Sequence, residues 1–386
     1  MFALLAWGGP ALLGVYGVLT AIELVAIYLS GFEFHTFTTR RYARRPSLAA
    51  LGRCLACHRK MLLVSTPLAI VGASAATVFL GLHLTWIELV AFMVVVATGT
   101  AVQEIVRFIV LTRRPIMSVV VSFIRTASWQ PLVLIAIHGA APLTGMLLLW
   151  SGAALLSLIL AGWLLRDAIW RSVHIPVRYL KRGLSEAGNY YLTANASVLQ
   201  SNLERFVLQS FLGPAAVGVY AFFQSLASTL PALVQSAVLN LWLPNLLEDF
   251  GQRRPGRFKT LWLAAFRALA VSVVLGGGIL VGAVALSVIT NHSSYLPLIW
   301  MLVALLAGQI VQMATQPIHL ALYGAHRDRP LMILSLGVLT VSLGLSIVLI
   351  QTLGTEGAVL SQVAGGVLLA LARFLLFRLY LRKGVI

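Results

Sequence analysis

Long apolar segments recur from one end of this chain to the other, and they limit the possible folds more than any other feature. A bilayer core about 30 Å thick needs about 20 apolar residues per helix, and breaks at charged clusters, Gly and Pro leave eleven such segments. The predicted spans are 11–31, 61–82, 86–111, 116–139, 142–165, 190–212, 215–243, 261–290, 295–322, 330–352 and 355–381. They lack the alternating polarity of barrel strands. With 60% apolar residues and only 10% charged residues, the sequence predicts an all-α polytopic membrane protein.

Lys and Arg residues concentrate in alternate connections between these spans. The basic connections are 32–60, 112–115, 166–189, 244–260, 323–329 and 382–386. The other connections are short turns without Lys or Arg, namely "GLHLT", "HGAAP", "NHSSY" and "LGTEG". By the positive-inside rule, the basic connections are cytoplasmic. A basic inner face beside anionic lipid explains the net charge of +17 without a nucleic-acid partner.

A short motif occurs twice, as "WGGPALLGVYG" at 7–17 and "FLGPAAVGVYA" at 211–221. The matching residues are separated by a constant offset of 204, so we predict two homologous halves. The same offset gives the span 190–212 a partner that would run from about −14 to 8. We therefore expect two pseudo-symmetric six-helix lobes around a central cavity, with most of the first helix missing. The predicted lobes are 1–165 and 190–386, joined by a basic linker at 166–189.

Two further segments carry a resemblance to a known family. "GFEFHTFTTRRYARR" is an aromatic and then basic stretch after a span, and "YYLTANASVLQSNLERFVLQSFLGPAAVGVYAF" is a helix with interspersed polar residues followed by the Gly-Pro turn. The layout resembles the polysaccharide flippases of the O-antigen (Wzx-type) group in the multidrug/oligosaccharidyl-lipid/polysaccharide exporter superfamily. The resemblance implies that two lobes open alternately around a hydrated cavity and move an undecaprenyl-pyrophosphate-linked oligosaccharide between leaflets.

Polar residues at helical spacing inside the spans are consistent with such a cavity. One stripe contains Asn202, Arg205 and Gln209, and a second contains Gln312 and Gln316. Residues spaced by three, four or seven lie on one helix face. The alternative is hydrogen bonding between helices, worth about 0.6 kcal/mol per contact. Because several helices carry stripes, we interpret these residues as substrate-binding.

The charged residues within the spans differ in depth. Arg125 and Arg205 lie deepest, and a guanidinium donates two hydrogen bonds at once to a pyrophosphate, so we predict that both bind substrate. The arginines nearer the cytoplasmic ends, which can extend to the interface, are Arg107, Arg267, Arg373 and Arg378. Glu23 lies near the middle of its span. It is a candidate for ion coupling, and the alternative is a salt bridge to one of the deep arginines.

The stretch "CLACH" at 54–58 matches the attachment motif for c-type haem. Its basic surroundings place it in the cytoplasm, where haem is not attached and thiols stay reduced. Zinc would need ligands beyond His58 and His35. We therefore expect no metal and no cofactor, and interpret the stretch as an inert amphipathic loop helix on the inner leaflet.

Enzyme motifs such as a Walker loop, HExxH or GxSxG do not occur in the sequence. A membrane-embedded polysaccharide polymerase or ligase would need a sizeable outward loop, and the predicted outward turns are short. The closer alternative is a multidrug or cation antiporter of the same superfamily, for which an acidic, aromatic-lined cavity would be typical. We expect a protein of the bacterial cytoplasmic membrane whose partners are a lipid-linked oligosaccharide, membrane lipids and other polysaccharide-assembly proteins.

Overall fold

The structure is a computed structural model that describes residues 2–44, 47–112, 114–133, 142–169, 175–289, 297–325 and 327–383. Within these ranges, every regular element is a helix, which confirms the all-α prediction. The helices are α1 Phe2–Gly31, α2 Phe34–Arg44, α3 Leu48–Phe79, α4 Trp86–Leu111, α5 Pro115–Thr126, α6 Pro142–Leu164, α7 Arg166–Ile169, α8 Val177–Leu212, α9 Pro214–Val234, α10 Asn240–Gly251, α11 Arg257–Ile289, α12 Ile299–Gly324, α13 Asp328–Leu353 and α14 Thr355–Arg382.

Nine helical segments in the described part of the chain are long and apolar enough to cross a membrane. They coincide with nine of the eleven predicted spans, and the chain is therefore a multi-pass membrane protein. The segments are Gly9–Gly31, Leu48–Phe79, Trp86–Leu111, Pro142–Leu164, Pro214–Leu243, Arg257–Ala285, Ile299–Gly324, Asp328–Leu353 and Thr355–Arg382.

The predicted span 116–139 is not one continuous helix in the structure. Helix α5 ends at Thr126, and a single 3₁₀ turn follows at Gln130–Leu132. The Ser128 hydroxyl donates to the Ile124 carbonyl at 2.7 Å, so a side chain competes for the backbone acceptor at the point where the helix ends. The expectation of an unbroken span here was wrong at its centre, and residues 134–139 lie outside the described residues.

The predicted span 190–212 forms the second half of α8, a helix of 36 residues. Its interspersed amide and charged side chains make this helix less apolar than the nine membrane-crossing segments named above. The helix ends at the Gly-Pro turn, as the motif predicts.

The two copies of the repeat adopt the same backbone at their glycines. Gly9 interrupts α1 with φ 73° and ψ 170°, and Gly213 precedes α9 with φ 77° and ψ −177°. This left-handed conformation is open to glycine and strained for other residues. In each copy a proline follows at the first position of the next helix, where its missing N–H leaves no bond unmade. The repeat is therefore a structural repeat as well as a sequence repeat.

The chain divides into two compact units, Trp7–Val198, and Leu199–Ile386 together with Met1–Ala6. In the first unit, α4 packs against α3, α5 and α6. In the second unit, α12 and α13 pack against α14, and α11 packs against α12. The predicted lobe boundaries, with a linker at 166–189, stay a prediction.

The basic connections are more helical than the sequence suggested. Residues 32–60 contain α2 and the start of α3, whose first turn is capped by the Ser47 side chain. Most described residues of 166–189 belong to α7 and α8. The turn "GLHLT" lies between α3 and α4, and "LGTEG" joins α13 to α14 through Gly354 at φ 63°. The turn "NHSSY" and residues 138–141 of "HGAAP" fall outside the described residues.

Candidate functional site

Glu23 and Arg125, two of the predicted site residues, lie together in the first unit. The Glu23 side chain is 7% exposed, and its Oε1 lies 3.8 Å from Nη2 of Arg125. Arg125 also donates through Nη1 to the carbonyl of Gly99 at 3.2 Å. The salt bridge that was the alternative to an ion-coupling role for Glu23 is therefore present. An ion-coupling role for Glu23 stays a prediction.

Glycine at position 99 makes this arrangement possible. A Cβ at Gly99 would lie 2.9 Å from Cδ1 of Ile27 and 3.0 Å from Oε1 of Glu23. Both distances are shorter than ordinary carbon contacts, so a larger residue at position 99 would displace the ends of the Ile27 and Glu23 side chains. Gly99 therefore leaves room for the Glu23 carboxylate beside Arg125.

The polar stripe on α8 is formed as the spacing predicted. Arg205 donates through Nη1 to Oδ1 of Asn202 at 3.4 Å, one helical turn away. Asn202 and Gln209 are buried, and Arg205 is half-buried. Glu204 points in a different direction from Arg205, as expected for adjacent helix positions.

Gln312 and Gln316 both lie half-buried on α12. The Gln316 Oε1 accepts a hydrogen bond of 2.8 Å from Nη1 of Arg373 on α14. Gln312 packs against Gly366, where a Cβ would come within 2.5 Å of the Gln312 amide nitrogen. These contacts bring two predicted site residues against α14, which the sequence reasoning had left out of the site.

Arg373 is not the surface-reaching side chain that we expected. It is 8% exposed, and no carboxylate among the described residues lies within 4.0 Å of its guanidinium. Its Nε also has no hydrogen-bond partner in the described part of the chain. The expectation was wrong because position along the helix did not indicate burial: α12 covers this face of α14. In contrast, Arg267 is exposed and lies 4.9 Å from the centre of the Trp242 ring, consistent with a superficial role.

Glu204 is a second buried group of the Leu199–Ile386 unit. Its Oε1 accepts hydrogen bonds from the hydroxyls of Ser346 on α13 and Ser361 on α14, at 3.3 Å and 3.4 Å. The sequence pattern gave little sign of this contact, because single serines in apolar helices usually serve packing.

A buried network of ionisable residues connects α2, α3 and α4. On α4, Glu104 Oε1 lies 2.7 Å from Nη1 of Arg107, which is one helical turn away. Its other oxygen lies 2.8 Å from Nδ1 of His58 on α3. The same arginine nitrogen lies 2.6 Å from Nδ1 of His35, and Nη2 lies 3.7 Å from Glu33 Oε1. Most of these residues lie on separate segments of the sequence, so their contacts depend on which helices meet.

Burial shifts the ionisation of the two members of this network that precede or begin α2. Burial, with a further contribution from the Arg107 charge, lowers the pKa of His35 to about 4. Burial also raises the pKa of Glu33 above its usual value, although the Arg107 charge opposes this shift. A neutral His35 accepts a hydrogen bond from Arg107, whereas a protonated His35 would oppose it, so the geometry favours the neutral ring.

The "CLACH" stretch belongs to this buried region and is not a loop helix on the leaflet. Cys54 and Cys57 are free cysteines, only 4% and 1% exposed, on the continuous helix α3. His58 accepts or donates a hydrogen bond of 3.0 Å with Thr38 and contacts Glu104. The amphipathic pattern was real, but the apolar side packs on α2 and α4 in place of lipid. Within the described residues no group of His, Cys, Asp or Glu could hold a metal ion.

Residues 9–248 match the model of the family described as "Polysaccharide biosynthesis protein". This match covers more than half of the chain. The chain belongs to the polysaccharide biosynthesis protein family. The match includes the deep pair Glu23 and Arg125, the α8 stripe with Arg205, and both copies of the Gly-Pro turn. No curated protein matches this sequence.

Solved structures of the same fold come from the MOP superfamily. This chain is similar to an inward-facing multidrug resistance MATE family transporter of the MOP superfamily. The TM-score is 0.71 and the identity is 14%, and the alignment covers 97% of this chain and 90% of the transporter. It is also similar to the lipid II flippase MurJ in an inward closed conformation, with a TM-score of 0.71, 12% identity, and coverage of 97% and 83%. At these identities the likeness shows the fold alone, which this chain shares with those two proteins.

Proposed function

We propose that this protein is a flippase that carries a lipid-linked oligosaccharide with a pyrophosphate headgroup across the cytoplasmic membrane. Membership of the polysaccharide biosynthesis family and the MOP transporter fold support this class of function. The proposal includes alternating access around a central cavity, with the basic connections in the cytoplasm. It also includes contacts with other polysaccharide-assembly proteins and no catalytic step.

The observation that carries the proposal is the buried guanidinium of Arg373. A charged side chain inside a membrane costs at least about 2.5–3.5 kcal/mol, and its contact with Gln316 supplies hydrogen bonding but no opposite charge. Such a residue is expected at a site that receives an anion. Arg205 with Asn202 gives the same unit a second guanidinium beside an amide. Arg125 has Glu23 as an ion-pair partner at 3.8 Å, and its binding of substrate stays a prediction.

A pyrophosphate explains these features better than an organic cation does. The headgroup must lose part of its hydration to cross, and fixed guanidinium groups replace that hydration with charge-assisted hydrogen bonds. Amides such as Gln312 and Gln316 suit the hydroxyl groups of a sugar, because an amide both donates and accepts. We therefore assign Arg205 and Arg373 to the headgroup, and the amides Asn202, Gln209, Gln312 and Gln316 to the headgroup or the adjoining sugar.

Glu204 is the observation that favours the alternative, a cation antiporter. It is 2% exposed, it accepts hydrogen bonds from the hydroxyls of Ser346 and Ser361, and the Arg205 charge also acts on it. A buried carboxylate that is hydrogen-bonded by hydroxyls is a suitable binding group for a cation. The flippase proposal predicts that the Glu204→Gln variant still binds the lipid-linked substrate, whereas the antiporter alternative predicts that it loses cation transport.

The test uses full-length protein in proteoliposomes that contain a fluorescent undecaprenyl-pyrophosphate-linked sugar. We expect Arg373→Gln to lower the flipping rate about tenfold or more, because one charge-assisted hydrogen bond is worth about 1.5–3 kcal/mol. Arg378→Gln is the matched control, since Arg378 is an exposed arginine on the same helix. A normal rate for Arg373→Gln at equal incorporation would contradict the assignment. Export of an organic cation without flipping of the sugar lipid would support the antiporter.

A further inference from the structure

The first unit contains a groove that the transport proposal does not use. It lies between α3 and α4, has a volume of about 490 Å³, and falls within the usual range of ligand pockets, about 300–1,000 Å³. Its lining is almost wholly apolar and includes the following residues of the two helices: Leu55, Leu62, Leu63, Pro67, Ala97, Ala101, Ile105 and Phe108.

Small side chains create the groove on the α4 side. Ala97 and Ala101 are one turn apart on α4 and both line it. At this level α3 and α4 are held together by a hydrogen bond between the hydroxyls of Thr66 and Thr100, 3.2 Å apart. The groove therefore lies between two helices that a hydrogen bond holds together, and its apolar lining suits an apolar ligand.

The groove has one exposed basic side chain along its α3 side. Arg59 lines it and lies on the same face of α3 as Leu63 and Thr66, at positions i, i+4 and i+7. Its side chain is exposed, and no carboxylate of the described residues lies within 4.0 Å of it. On α3 the lining runs from Leu55 to Pro67, about 18 Å at 1.5 Å per residue, so it continues on both sides of Arg59.

The acidic residue in the lining does not oppose an anionic ligand. Glu104 contacts both Arg107 and His58, so its charge is already compensated inside the protein. The free charge at the mouth of the groove is therefore that of Arg59. A ligand with a hydrocarbon chain and an anionic head satisfies both the apolar lining and this charge.

We propose that the groove between α3 and α4 binds an acyl chain of an anionic phospholipid whose phosphate contacts Arg59. The predicted cytoplasmic location of the basic segment 32–60 places this lipid in the inner leaflet, where anionic headgroups interact with basic side chains. The lipid fills the space between two helices of the first unit and lies over the His58–Glu104 contact. The site is separate from the residues assigned to the transported substrate, and it does not depend on what the protein transports.

The test is native mass spectrometry of the full-length protein, released from nanodiscs that contain equal amounts of phosphatidylglycerol and phosphatidylethanolamine. We expect retained phosphatidylglycerol on the unaltered protein, and about a fivefold weaker preference for it in Arg59→Gln, since one basic residue near the surface contributes about 1 kcal/mol. Arg53→Gln is the matched control, because Arg53 is also exposed on α3 and does not line the groove. Arg59→Lys should retain most of the preference.

A second variant tests the apolar part of the site. Ala101→Phe fills the groove and should reduce retention of both lipids, provided that its melting temperature shows a folded protein. If Ala101→Phe does not fold, Ala97→Leu replaces it with a smaller increase in volume. Equal retention of the two lipids by all variants would overturn the proposal. Displacement of phosphatidylglycerol by added undecaprenyl phosphate would also overturn it, since the occupant would then be a prenyl chain.

Discussion

The contact between Glu23 and Arg125 makes a prediction that separates a structural role from a substrate-binding role. Both side chains are largely buried, and their charged atoms are 3.8 Å apart. At an effective dielectric constant of about 20, two unit charges at this distance attract each other by about 4 kcal/mol. In Arg125→Gln, the Glu23 carboxylate would remain buried without this attraction. We expect the single variant to lose about 3–5 kcal/mol of stability, the usual cost of breaking a buried pair.

The double variant Glu23→Gln/Arg125→Gln should be more stable than Arg125→Gln alone. It removes both charges, so neither the attraction nor the cost of an isolated buried charge remains. The assay is reversible denaturant unfolding of the purified protein in lipid–detergent micelles, followed by Trp fluorescence. Arg267→Gln serves as the control, because its exposed side chain contacts only the face of Trp242 in the structure, and its stability should change little.

The reasoning would be refuted if the double variant were as unstable as the sum of the two single variants, because the two charges would then act independently. The flipping assay adds a second result. A stable double variant that still transports would make the pair structural, whereas a stable double variant without transport would restore Arg125 to the substrate path.

Three further predictions concern topology, helix packing and pH. A cysteine introduced as Gln252→Cys should react with an impermeant maleimide only after lysis, and His83→Cys should react in intact cells; both sites are exposed, and the opposite pattern would invert the topology. Gly357→Ala should lower the melting temperature sharply, because its Cβ would overlap the Leu349 carbonyl, whereas Gly337→Ala, with open space around it, should not; equal melting would contradict the packing. The pKa of His35 is about 4 in the folded protein and 6.5 when unperturbed, so its contribution to stability is complete above pH 6.5 and is lost as the pH falls toward 4. His35→Gln should therefore lose less stability between pH 7 and 4.5 than the unaltered protein, and equal losses would contradict this assignment.

Much of the fold could be read from the sequence because membrane helices follow a simple rule. Backbone groups in hydrocarbon must bond within the segment, so a long apolar run predicts a helix with few exceptions. The Gly-Pro repeat was equally readable, since the left-handed backbone at Gly9 and Gly213 restricts the residue type. The prediction was wrong in 116–139. The hydropathy of this segment predicts one continuous helix, whereas α5 ends at Thr126 and a 3₁₀ turn follows.

The contacts of the candidate site were less predictable, because they depend on which helices meet. The spacing of Asn202 and Arg205 predicted that they share one helix face, and the structure shows a hydrogen bond between them. Arg125 and Glu23 are about 100 residues apart in sequence, and only the alternative of a salt bridge anticipated their contact. Residues 32–60 were predicted to be a basic cytoplasmic connection with an amphipathic helix on the inner leaflet, although the helix α3 buries His58 against Glu104.

Burial of an arginine is set by its neighbours, and depth along a helix is a poor guide to it. Arg125 was the deeper residue by position, yet Glu23 compensates its charge, so it contributes less to a field that would attract an anion. Arg373 was placed near the interface by position, but α12 covers it and supplies only an amide. Arg373 therefore becomes a candidate for anion binding, and the substrate-binding role of Arg125 stays a prediction. If anion binding depends on uncompensated charge, loss of Arg373 should impair transport more than simultaneous loss of Glu23 and Arg125, because removing that pair leaves the net charge of the site unchanged.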